Sequence, residues 1–159
     1  MKRITTLAAA TAFALLQGCA STPATRTVAE TTAATPQLST LNKLLADAGL
    51  TETLRGPGPY TVFAPSDEAF KAVPAKTLAE LSADKERLKS VLSYHVVSGK
   101  VSSAQVHNGN TKTVQGASLA LAKAGAYVTV EDAMVTQADV PASNGVVHVI
   151  DRVLMPPKK

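Results

Sequence analysis

Six β-prone runs crowd into the second half of the chain: Tyr94–Val97, Thr111–Gln115, Leu119–Ala122, Tyr127–Glu131, Met134–Val140 and Val146–Val153. Turn signals separate them at Ser98-Gly99, Asn108-Gly109, Gly116, Lys123 to Gly125 and Ser143-Asn144-Gly145. Connections this short allow only antiparallel pairing, because a parallel pair needs a crossover of about a dozen residues or more. Val146 to Ile150 is apolar on both faces of its period-two repeat, which places that strand inside a core.

The first half reads differently. Leu38, Leu41, Leu44, Leu45 and Ala48 share one helical face, and Gly49 stands where a helix would stop. Arg55 to Pro59 turns the chain into a short strand, Tyr60–Ala64, which Pro65 ends. Ser66 is a good N-cap with Asp67 and Glu68 in the first turn, where carboxylates complement the helix dipole. Pro74 suits a helix start, Leu78 and Leu81 share an apolar face, and Leu88, Val91 and Leu92 carry another short helix. The expected class is α+β, in one domain large enough to build a core without disulfides.

Ahead of that domain, Lys2 and Arg3 precede a charge-free apolar run from Leu7 to Leu16, the order of a secretory signal. The run is too short to span a bilayer. Leu16-Gln17-Gly18-Cys19 follows, and Cys19 is the sole cysteine, so no intrachain disulfide can form. These four residues resemble the lipobox of bacterial lipoproteins, although Gln17 departs from its pattern. The resemblance implies cleavage between Gly18 and Cys19, acylation of Cys19, and anchoring by more than one acyl chain. Ala20, rather than Asp, implies the outer membrane where a host has two. A soluble periplasmic or secreted domain is the alternative. Residues 19–37, rich in Ala, Thr, Ser and Pro, are expected to form a disordered tether.

Removal of Lys2 and Arg3 leaves 14 basic against 12 acidic residues, a net of +2. That charge is ordinary. With no Trp and only 4% aromatic residues, the chain lacks the basic stripe and stacking platforms of a nucleic-acid binder.

Three segments resemble the fasciclin family. They are Tyr60 to Phe70, the Tyr94-His95-Val96-Val97 motif, and Asn144 to Pro156, in the family's order and spacing across residues 38–157. The resemblance implies a wedge of two antiparallel β-sheets with a layer of short helices, and a role in adhesion. Tyr94, His95, His148 and Asp67 fall in these motifs and are expected to serve the fold. An Asp followed by an aliphatic residue just before the last motif is, in animal members, a proposed integrin contact. Asp139 and Val140 occupy that place, with flanks that depart from the animal pattern.

Catalysis finds little support. His95, His107 and His148 form no metal-binding spacing, so neither a metal nor any other cofactor is expected. Ser66, Asp67 and His95 can be imagined as a triad, but Ser66 has a sufficient task as a cap and no nucleophile elbow surrounds it. The leading expectation is therefore a non-enzymatic adhesion or binding module. It would meet a protein or polysaccharide at the cell surface or matrix, and the membrane through its lipid anchor. The rival is a structural or stress-related envelope protein with no defined ligand.

Overall fold

The structure is a computed structural model describing residues 26–157. Residues 1–25, over which the signal peptide and lipobox are expected and which include Gly18 and Cys19, lie outside the described part. Helices dominate the first half: α1 (Val28–Ala34), a 3-10 turn (Pro36–Leu38), α2 (Ser39–Asp47), α3 (Thr51–Arg55), α4 (Asp67–Ala72), α5 (Ala75–Ala83) and α6 (Lys85–Tyr94). Strand β1 (Tyr60–Pro65) lies among them. Then come β2 (Val96–Ser98), β3 (Gly109–Lys112), β4 (Ser118–Ala124), β5 (Tyr127–Val130), β6 (Ala133–Ala142) and β7 (Gly145–Ile150).

The seven strands form one ladder in the order β2-β1-β7-β6-β5-β4-β3. It bends at β6, whose first residues pair with β5 and whose remainder pairs with β7. Two layers result, with β1, β2 and β7 in one and β3, β4 and β5 in the other. The strands of the second half pair antiparallel, as their short connections require. The exception to an all-antiparallel wedge is β1 with β7, which run parallel from Tyr60 opposite Gly145 to Pro65 opposite Ile150. Most of the domain lies between these two strands in sequence, so the crossover rule does not constrain them. The two ends of the ladder meet where Val97 bridges Thr113 and the Val114 N–H donates to the Val96 carbonyl at 2.8 Å.

Period-two alternation in the two central strands divides the core. Val62 and Ala64 of β1, with Val147 and Val149 of β7, face the helices and pack against Leu38, Leu41, Leu45 and Leu92. Phe63 and Ile150 face the other way and meet Leu119, Leu121, Val128 and Val130 between the layers. A strand buried on both sides reads as a nearly continuous apolar run, and every residue of β7 is buried, with His148 its one polar side chain.

Besides the shift of the third-strand run from Thr111–Gln115 to Gly109–Lys112 and the end of the last strand at Ile150 instead of Val153, three boundaries differ from expectation. Part of the stretch expected to be a disordered tether, Val28–Ala34, instead forms helix α1, docked with Val28 fully buried in the helix-side core. Thr27 and Glu30 close a capping box at its start, and Val28 supplies the apolar anchor that the rest of this Thr- and Ala-rich stretch lacks. Tyr94 ends α6 instead of opening a strand. It lies three residues beyond Val91, and His95 lies four beyond, so both continue the helical face of Leu88, Val91 and Leu92. Strand β6 runs past Val140 to Ala142 through two register shifts, and Asp139 sits in the second with a left-handed φ of 55°.

Candidate functional site

His95 is 1% exposed, and both ring nitrogens are occupied. Nδ1 lies 2.8 Å from the Val91 carbonyl, which can only accept, so Nδ1 carries the proton. Nε2 then accepts from the Leu154 N–H at 3.0 Å. Burial pushes the imidazole down to about 4, against a smaller opposing effect of the Val91 carbonyl. The neutral ring thereby pins the chain after β7 onto helix α6.

Ser66 and Asp67 belong to other networks. The Ser66 Oγ accepts from the Ala69 N–H at 3.2 Å and caps α4. Asp67 reaches back to α2, which has no side-chain cap of its own. Its carboxylate accepts from the Thr40 N–H at 2.8 Å and the Ser39 hydroxyl at 2.7 Å. Partial burial opposes the charge, but these bonds outweigh it and hold the carboxyl below its ordinary value. No hydrogen bond joins Ser66, Asp67 and His95 to one another, so the imagined triad is not assembled.

His148 and Asp139 are brought together, which their sequence separation did not announce. The Asp139 N–H donates to His148 Nδ1 at 3.2 Å, and His148 Nε2–H donates to the Val101 carbonyl at 2.8 Å. The ring stacks on Phe63 with centroids 5.5 Å apart. On the exposed side of β6, the Asp139 carboxylate accepts from the Ser103 N–H at 2.8 Å and from the Ser103 hydroxyl. Partial burial again works against the charge, and the two Ser103 bonds overcome it, so the Asp139 carboxyl lies below its usual value. Val140 is half-buried against the helix-side core. The pair is therefore split, with Asp139 at the surface and Val140 turned inward. Nothing in the sequence marked Ser103 as the partner of Asp139.

Asn144 does more than turn the chain. Its Oδ1 accepts from the Val28 N–H at 2.7 Å, and its Nδ2 donates to the Leu54 and Gly56 carbonyls, each at 2.8 Å. Its own carbonyl accepts from the Tyr60 N–H at 3.0 Å. Gly145 follows because nothing larger fits: a Cβ there would lie 1.9 Å from the Tyr60 carbonyl oxygen.

At the opposite end of β7, an open groove of about 500 Å³ runs between the β5–β6 turn and the chain after β7. Glu131, Asp132, Arg152 and Met155 line it. Glu131, at a left-handed φ of 53°, has its carboxylate occupied by the Ala120 N–H at 2.7 Å. Asp132 and Arg152 have no ion-pair partner among the described residues. The described residues include no group of His, Cys, Asp and Glu able to hold a metal ion, and no helix long and apolar enough to cross a membrane.

The profile of the fasciclin domain matches residues 36–156. The Synechocystis protein sll1483 is 43% identical over 140 residues, covering 87% of this chain and 78% of its own length. The cell surface glycolipoprotein MPB83 of Mycobacterium bovis is 42% identical over 127 residues, which is 77% of this chain and 57% of the glycolipoprotein. The immunogenic protein MPB70 of the same species is 40% identical over 149 residues, covering 91% of this chain and 74% of its own. Among solved structures, the FAS1 domain pair of the insect cell adhesion molecule fasciclin I superposes with a TM-score of 0.66 at 18% identity. That match covers 84% of this chain and 52% of the insect one, and it is a likeness of fold alone.

Proposed function

The chain belongs to the fasciclin domain family, and on that premise we propose that it is a non-enzymatic binding module of the cell envelope, held to the membrane by a lipid on Cys19. The observation that carries this reading is the state of its polar side chains. The imidazoles of His95 and His148 have both nitrogens engaged, and the carboxylate of Asp67 caps a neighbouring helix. Such groups specify a fold; they are not poised to move protons on a substrate. The cell surface glycolipoprotein among the relatives supports the location, and membership of the fasciclin domain family supports the task.

Partners in this reading are proteins or polysaccharides outside the cytoplasm. Asp139 is the contact position it favours, since the residue stands on a bulge at the surface with its charge retained. A partner cation would share or displace the Ser103 bonds.

Intact mass of the protein purified from membranes of its native host tests the anchor. A mass of residues 19–159 plus acyl chains, absent from Cys19→Ala together with membrane association, is expected. An unmodified mass in the soluble fraction sinks the anchor. Adhesion of cells carrying wild type, Asp139→Ala or no protein tests the task. Equal adhesion by all three leaves a structural envelope protein in its place.

A further inference from the structure

The chain joins the domain at one defined end. The Ser143 N–H donates to the Arg26 carbonyl at 2.8 Å, and the next residue, Asn144, holds the Val28 N–H. Both parallel strands, β1 and β7, start here, at Tyr60 and Gly145. Arg55, the exposed loop Pro57-Gly58-Pro59, and Lys100 belong to the same end, because the Gly99 N–H donates to the Pro59 carbonyl at 3.0 Å. From there the five Cα steps of β1 and β7 run about 17 Å to the far end, at about 3.3 Å per step. The groove of Asp132 and Arg152 lies at that far end, next to Met134, whose N–H donates to Asp151 at 2.7 Å.

Because α1 is docked, the chain between Cys19 and the domain is short. Seven Cα steps separate Cys19 from Arg26. At about 3.3–3.6 Å per step they reach at most about 25 Å, and a coil of that length spans only about 15 Å. To touch the bilayer with the far end, the chain would have to double back along the full strand length, using roughly two-thirds of its fully extended reach and more than the span of a relaxed coil. The near end needs none of it. Arg26 and Lys100 are exposed there, and cations are favoured beside anionic headgroups, whereas Arg55 is paired with Glu52 at 2.7 Å and Glu30 lies nearby, so the tether length rather than net charge sets the orientation.

The geometry points to a fixed orientation: the end carrying Arg26, Pro57-Gly58-Pro59 and Lys100 rests on the lipid headgroups, and the groove of Asp132, Arg152 and Met155 faces outward. This rests on the lipid anchor proposed above.

The test uses the full acylated chain in vesicles of phosphatidylethanolamine and phosphatidylglycerol containing a nitroxide-headgroup lipid. Acylation consumes the Cys19 thiol, so Lys100→Cys or Asp132→Cys introduces the single site for a fluorophore. Both positions are exposed, and circular dichroism checks that each variant is folded. Quenching several-fold stronger at position 100 than at 132 is expected, and twenty Gly/Ser residues inserted before Arg26 should narrow the difference. Equal quenching at the two positions in the uninserted protein, or stronger quenching at 132, overturns the orientation. Intact mass is read on the same samples. Acyl chains with equal quenching defeat the orientation alone, whereas a mass without acyl chains defeats the anchor and the orientation together.

Discussion

The Val28 amide and the Asn144 side chain, 116 residues apart in sequence, are joined by a 2.7 Å hydrogen bond. The same side chain donates to the Leu54 and Gly56 carbonyls, so one amide group fastens α1, the end of α3 and the start of β7.

Asn144→Ala leaves three backbone groups without their partner. A cost of about 2–4 kcal/mol is expected, at roughly 1 kcal/mol or more for each orphaned group. Asn144→Asp keeps the acceptor for Val28 but turns a carboxylate on two carbonyls, and should be no milder. Chemical denaturation gives the magnitude, and hydrogen exchange should show α1 losing protection first. Unchanged exchange in α1 would contradict the role assigned to this residue.

Gly145 separates sterics from chain flexibility. Gly145→Ala drives a Cβ into the Tyr60 carbonyl at 1.9 Å and must part β1 from β7, costing upwards of about 4 kcal/mol or preventing folding. Gly109→Ala meets nothing within 4 Å and should change stability by less than about 0.5 kcal/mol. Similar effects at the two sites would mean that the close approach does not govern.

His95 makes stability depend on pH. Its folded value of about 4 lies below the ordinary 6.5, so the unfolded chain binds the extra proton first. The contribution is complete above about pH 6.5 and is lost as pH falls towards 4, to a total of about 3 kcal/mol. His95→Gln should be less stable at neutral pH but show a flatter dependence between pH 6.5 and 4. A slope identical to wild type there would assign the effect to other groups.

Asp139 should titrate below its ordinary 3.8. With a depressed folded value, its contribution is present above the unfolded value and disappears as pH falls through the folded one. Ser103→Ala removes the hydroxyl bond but keeps the backbone one, so the midpoint should rise only part of the way. Carboxyl chemical shifts followed by NMR give both midpoints. No movement in Ser103→Ala would exclude the hydroxyl as the cause.

Residue patterns announced much of this architecture. The Ser66 cap, the Leu face of α2 and the doubly buried β7 all follow from local rules of periodicity and capping. What escaped is non-local. Val28 alone gives a Thr-rich stretch no helical signature, and its order depends on Asn144 at the other end of the chain. The parallel pairing of β1 with β7 joins two short strands whose sequences say nothing of each other. The Tyr94-His95 motif is β-prone by composition, yet α6 absorbs it because His95 answers the Val91 carbonyl one turn back. Asp139 stood out by its place before the last motif, while Ser103 lies in a loop with no local signal.

The bridge from Val97 to Thr113 draws together the two ends of the ladder, and the end strands β2 and β3 are only three and four residues long. Little open strand edge remains for another chain to extend, and short edges of this kind oppose sheet-to-sheet polymerisation. That closure is a safeguard against fibrils built into the chain's own topology.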